Sequence, residues 1–392
     1  MAVKIVRQAN KIVLLGAPTS AAALAPGHER APAALRAAGL ADRLRTVGYE
    51  VDDLGDDPPQ LYQPDEESPR ARNLPRVLAA LEALKPRVEL AVKSGALPLI
   101  LGGDCTIALA TVAGLRRYFR NVSIAYLDRD ADLNIPATSP SGCLDGMVVA
   151  HLTGRGAAEL VRFWGEPPLV REPDIALFGV DRLDPPEEEV LLRSPIRRFL
   201  AADIQRMGAA AAAEAAVVGI HGGSQAAAHE FVLHFDVDVI SSEDFAATNL
   251  PGSGGLRLEQ VRQALEVFAV HNHLAAFEIT AYNPERDPDG SGARALIDLM
   301  VDVLAKRLAA LAAPIVPASQ EASPQAPAKP AAAAEPAVPA EPAAPAEPAV
   351  PAEPAVPAEP AVPAEAHPAE SSLEETPATS AGPTERSRSE GN

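Results

Sequence analysis

Apolar residues in this chain fall into short unbroken blocks that alternate with longer stretches patterned at intervals of three and four. The blocks at 12–15, 49–53, 98–101, 122–127, 174–179, 231–237 and 274–279 read as buried strands, because both faces of each are apolar. The stretches at 32–47, 74–94, 106–119, 257–271 and 291–312 read as helices. In the second of these, Val77, Leu78, Leu81, Leu84 and Val88 mark out one apolar face. Strands and helices in strict alternation predict an α/β fold with a mainly parallel sheet and helices on both of its faces. No Gly-x-Gly-x-x-Gly follows a strand block, which argues against a dinucleotide site.

The pattern stops near residue 312, and the chain divides there into a 1–312 body and a 313–392 tail. Prolines at 336, 339, 342 and 345 continue every third residue to Pro363, and Glu335, Glu341, Glu347, Glu353, Glu359 and Glu365 recur every sixth. Such a Pro/Ala/Glu repeat suits polyproline II and cannot build a core, so the expectation is a disordered tail. It reads as a solvated spacer or as a ligand for a Pro-recognising domain. Truncation after Leu311 should therefore leave the melting temperature of the body unchanged, as calorimetry of the two proteins would check. A large drop would mean that the tail packs on the body.

Charge narrows the partners. The chain carries 34 Lys and Arg against 53 Asp and Glu, a net −19. That balance argues against a nucleic acid or an anionic membrane as partner and leaves a small-molecule substrate. Two cysteines, Cys105 and Cys143, make no disulfide framework and suit a reducing cytoplasm. No apolar run reaches the length of a membrane helix. The apolar segment near residue 12 faintly mimics a signal peptide but reads better as a first strand ending in a Gly/Pro loop.

Chemistry enters with two acidic clusters at the ends of strand blocks. Asp128, Asp130 and Asp132 follow 122–127, and Asp236 and Asp238 close 231–237. Side chains at i and i+2 on a strand point to one face, so each cluster aims its carboxylates the same way, at the strand's C-terminal end. Open α/β sheets bind ligands at that end of the strands. Massed carboxylates repel when buried, and a divalent cation is the simplest compensation.

These clusters occur in a fixed order with other motifs: Gly102-Gly103-Asp104-Cys105, then Asp128 to Asn134, then Ser141-Gly142-Cys143-Leu144-Asp145-Gly146, then Phe235 to Asp238. The set resembles the arginase/agmatinase/formiminoglutamase (ureohydrolase) family over about residues 10–310. Pro32 to Leu40, Leu54-Gly55-Asp56 and Tyr282-Asn283-Pro284 add to the likeness. The resemblance implies a three-layer α/β/α fold, two manganese ions, a homo-oligomer and hydrolysis of a guanidinium-type carbon. It implies metal ligands at Cys105, Asp128, Asp130, Asp132, Asp236 and Asp238, with Asp128 and Asp236 bridging. It implies substrate contacts at Asp184 and Glu187 and a proton-transfer role at Asp145. A thiolate at Cys105 would favour zinc or iron over manganese.

The departures are as specific as the likeness. Cys105, Asp130 and Asp145 stand where the family usually has His. Ala281 stands where the family has the Glu that grips a guanidinium. The expectation is a divergent metal-dependent hydrolase of linear amidine or guanidine C–N bonds that does not act on arginine or agmatine. The alternative is an inactive member kept as a binding module. Cys105 also reads as a buried thiol, Cys143 as loop filler, and Asp104 as a loop-orienting or helix-capping residue. His234 reads as a satisfied core histidine, and His221 as a possible substitute base.

Overall fold

The computed structural model describes residues 5–220 and 229–313. The proposed tail and His221 lie outside the described residues. In chain order the elements are β1 (Lys11–Gly16), α1 (Ala31–Ala37), α2 (Leu40–Thr46), β2 (Glu50–Asp56), α3 (Leu74–Lys93), β3 (Leu97–Leu101), α4 (Ile107–Arg116) and β4 (Val122–Leu127). They continue with α5 (Val148–Leu152), α6 (Ala158–Val161), β5 (Ile175–Val180), α7 (Pro185–Arg193), β6 (Arg197–Leu200), α8 (Ala201–Met207), α9 (Ala209–Ile220) and β7 (Glu230–Asp236). The series ends with α10 (Leu258–Val270), β8 (Leu274–Thr280) and α11 (Ser291–Ala312).

The strands form one sheet in the order β2-β1-β3-β8-β7-β4-β5-β6, and every pairing is parallel. The inner strands β3, β4, β5 and β8 are buried along their whole length, as parallel strands covered on both faces must be. One core, including Leu35, Leu40, Phe268, Leu296 and Leu304, covers one face of the sheet. A second, including Val77, Leu81, Leu109, Val112 and Leu152, covers the other. These are the three layers expected. No helix among the described residues is long and apolar enough to cross a membrane.

Three differences from the pattern have local causes. The expected helix over 32–47 is two helices, broken at Gly39, whose φ of 90° is left-handed. Glycine takes that conformation without a Cβ clash. β6 was not foreseen because an edge strand that reads Arg-Arg-Phe-Leu carries little apolar signal. α9 was not foreseen because its alanines show no face, although alanine favours helix strongly.

Candidate active site

The candidate residues gather where the central strands end. β3 leads to Cys105, β4 to Asp128–Asp132, β5 to Arg182, Asp184 and Glu187, β7 to Asp236 and Asp238, and β8 to Ala281. All of them line one cavity of about 270 Å³ at this edge of the sheet, together with His28 and Asp145. Sheet register brings the ends level, since Leu127 pairs with Phe235 and Phe235 with Ile279.

The acidic clusters converge, but not by strand alternation. β4 ends at Leu127, and a short 3-10 turn follows Asp236. The i, i+2 strand reading therefore fails, and a turn replaces it. Asp128 Oδ1 accepts from the backbone N–H of Asp130 at 2.7 Å. Asp236 Oδ1 accepts from the N–H of Asp238 at 2.7 Å. Each Asp-x-Asp thus folds as an Asx turn, a local bond that short carboxylates make readily. Asp132 completes its cluster with a left-handed φ of 51°.

Burial makes this cluster costly when nothing is bound. Asp128, Asp132, Asp236 and Asp238 are each at most 5% exposed. Burial first, then the neighbouring carboxylates, pushes Asp128, Asp132 and Asp236 well above the usual carboxylate range. The same causes move Asp238 up to about 6. Its Oδ1 is buried without a hydrogen-bond partner among the described residues. Ligand atoms of Asp128, Asp236 and Asp238 all lie within 4.8 Å of one another, and so do those of Cys105, Asp128 and His234. An oxygen-rich, charge-dense set with a free lone pair fits a hard divalent cation.

The remaining candidate residues, and Asp236 itself, have side-chain partners. Asp130 lies in a two-pronged ion pair with Arg182. Asp132 accepts from the Tyr126 hydroxyl. The Cys105 thiol donates to Asp236 Oδ2 at 2.9 Å and lies 3.2 Å from Thr280 Oγ1. Burial, reinforced by the Asp236 charge, holds that thiol protonated. Sulfur ligation would therefore require loss of that proton. Beneath it, His234 Nδ1 faces Glu278 at 2.7 Å, and its ring stacks on Tyr126 with centroids 4.1 Å apart. His234 points to the same face as Asp236, yet both ring nitrogens are engaged, the second with Thr280 at 3.4 Å.

Asp145 Oδ1 accepts from the backbone N–H of Cys105 at 2.6 Å. Burial, then the charge of Asp104, raises its pKa well above the ordinary value. Asp104 itself binds Thr19 Oγ1 and Ala22 N, each at 3.0 Å, so it orients the neighbouring loop. Glu187 spends both oxygens on backbone N–H groups, those of Leu133 and Asp184, each at 2.9 Å. Asp184 caps α7 and accepts from Asn134 at 2.8 Å. Cys143 is buried on the cavity wall, 3.8 Å from Ala23 O.

Several cavity residues, Arg182, His28, Thr248 and Asn249 among them, escaped the sequence reading. Arg182 sits between Asp181 and Asp184, and no spacing signals that it reaches Asp130. His28 is 2% exposed, and neither ring nitrogen has a partner among the described residues. Burial drives its pKa down to about 4, so the ring is neutral. Its loop is clamped by Asn249 donating to Ala25 O at 2.9 Å and Asn283 donating to Pro26 O at 3.1 Å. An unbonded buried imidazole costs roughly 1–3 kcal/mol. His28→Leu should therefore stabilise the ligand-free protein by roughly 1 kcal/mol or more in a urea titration. Destabilisation instead would show that the ring makes a bond in the folded protein.

Comparison with known proteins agrees with this architecture. The model of the Arginase family matches residues 10–305. The arginase of Brevibacillus brevis is 30% identical over 295 residues, covering 75% of this chain and 98% of the relative. The solved arginase of Bacillus caldovelox superposes with a TM-score of 0.68 at 27% identity, covering 75% of this chain and 98% of its own. A proclavaminate amidino hydrolase from Streptomyces clavuligerus shares the fold at 17% identity, with a TM-score of 0.59, covering 77% and 93% of the two chains.

Proposed function

Because the chain belongs to the arginase family, we propose that it is a metal-dependent hydrolase of linear amidino C–N bonds whose substrate is neither arginine nor agmatine. The observation that carries this reading is the buried triad Asp128, Asp236 and Asp238, with an unbonded oxygen on Asp238. Those three carboxylates would hold a divalent cation, manganese by family resemblance. What the cation supplies at such a site is an acidified water and stabilisation of developing negative charge.

The chain's own residues account for the rest. Asp145 keeps one oxygen on the Cys105 N–H, and burial raises its pKa, which favours its protonated form. A carboxylic acid on the cavity wall can give its proton to the departing nitrogen, which must leave as a neutral amine. Asp184 and Glu187 border the cavity where the far end of a substrate would lie. Glu187, bonded by two backbone N–H groups, acts there by fixing Asp184 in place. Elsewhere on the cavity lining, Ala281 offers no carboxylate to a guanidinium. Neutral His28 and the polar Thr248 offer hydrogen bonds in its place. This supports a linear amidino substrate whose recognition does not depend on a carboxylate at the Ala281 position.

The test is a substrate panel of guanidino, formimino and amidine compounds, with urea and ammonia release measured in manganese and in chelator. Cleavage of a formimino or amidine compound in manganese alone is expected. Silence across the panel by a protein shown to contain metal would favour the inactive binding-module reading. The family's oligomeric habit is a further expectation that sedimentation can check.

A further inference from the structure

The six candidate ligands differ in their partners and in how closely their oxygens gather. Asp130 is held at both oxygens by the Arg182 guanidinium. Asp132 takes the Tyr126 hydroxyl. The Cys105 thiol is spent on Asp236 and Thr280. Asp128 and Asp236 also accept bonds, from the Asp130 and Asp238 N–H groups and, at Asp236, from the Cys105 thiol, but with Asp238 they form the tight triad in which one buried oxygen has no partner among the described residues.

We infer that this site takes one divalent cation, on Asp128, Asp236 and Asp238, and that the Arg182 guanidinium, anchored by Asp130, supplies the second positive charge. The inference rests on the metal-dependent reading above and departs from the two-ion site implied by family resemblance. A guanidinium is always charged and matches a carboxylate in two-pronged geometry. Arg182 lines the same cavity as the triad, with its side chain partly exposed. A second cation drawn to Asp130 would meet that fixed like charge and would have to break the pair.

The alternative second position is the group of Cys105, Asp128 and His234. It requires a thiolate beside several carboxylates and a His234 freed from Thr280. Each is opposed by contacts already made. The guanidinium has further N–H groups beyond those on Asp130. It can therefore act as a donor toward a substrate oxygen or nitrogen at the place of the second ion.

The experiment counts metal directly. Full-length protein is saturated with manganese and freed of excess by gel filtration. It is then measured by elemental analysis and by electron paramagnetic resonance. About one ion per chain with an isolated-ion spectrum is expected. Asp130→Asn should leave that count unchanged, because Asp130 is not a ligand. Arg182→Leu combined with Asp130→His removes the built-in cation and adds a neutral ligand. It should raise the count to about two, with a spectrum of coupled ions. Two ions in the unmodified protein would overturn the inference and leave the hydrolase reading standing. No bound ion in excess manganese would overturn both. A double variant that folds and still holds one ion would overturn the role given to Arg182. If that variant fails to fold, the unmodified count and Asp130→Asn decide the matter.

Discussion

Asp236→Asn is expected to lose the metal-dependent part of stability and nearly all activity, and to be no less stable than the parent once metal is removed. Asn keeps the side-chain size, and its carbonyl oxygen can still accept from the Asp238 N–H. What it removes is one charge from a buried cluster. In the metal-free parent, burial and the Asp238 charge raise Asp236 above its unfolded value. A raised carboxylate contributes stability fully below its unfolded pKa, and that contribution is lost as pH rises through the folded pKa. The metal-free parent should therefore weaken from about pH 4 upward, through the value of about 6 for Asp238 and through the raised values of Asp128 and Asp236. The variant, with one such group fewer, should weaken less.

Metal reverses the slope, because a cation binds the deprotonated carboxylates. At a free concentration of about 100 times Kd, binding adds roughly 2.7 kcal/mol to the parent. The variant should gain little of this. Thermal melts at pH 5.5 and pH 8, each in chelator and in manganese, read all four states. The order of the two proteins should invert between chelator and metal at pH 8. Equal metal-induced shifts in both would remove Asp236 from the binding set.

Arginine and agmatine should be turned over at least ~10²-fold more slowly than an accepted amidine, even with manganese supplied. A guanidinium is a planar cation that seeks a bidentate carboxylate. The wall that would offer one ends in Ala281, buried and without charge. His28 nearby is neutral, since burial holds its pKa near 4. The cation would thus be desolvated without a matched partner. Ala281→Glu restores one. Ala281 already holds a left-handed φ of 62°, so the exchange adds charge without new backbone strain. A regained charge-assisted bond of about 1.5–3 kcal/mol corresponds to roughly 10- to 100-fold in kcat/KM for arginine. Asp145→His is a poorer companion than sequence resemblance suggests, because it removes the acceptor of the Cys105 N–H. Rapid urea release from arginine by the unmodified protein would contradict this account of specificity.

Much of the fold was legible because the inner strands are buried on both faces and so appear as unbroken apolar runs, as in Leu97–Leu101 and Val122–Leu127. The break at Gly39 was harder to see, since apolar spacing continues across it. β6 was hidden by its two arginines at a sheet edge, where solvent relaxes the demand for apolar side chains. Within the candidate site, the Asp clusters stood out because they follow strands. Their convergence was expected for the wrong local reason, since Asx turns and not strand pleating aim Asp130 and Asp238. Arg182 and His28 could not be found in this way. Arg182 acquires its meaning from Asp130, 52 positions away. His28 acquires its meaning from loops that meet only in the folded chain.

The most direct measurement of the central claim follows amidino cleavage by one preparation as purified, after metal removal, and after manganese is restored. The account predicts cleavage that disappears in chelator, returns with the metal and is absent throughout in Asp236→Asn. Cleavage that persists undiminished in the metal-free protein or in that variant would contradict it.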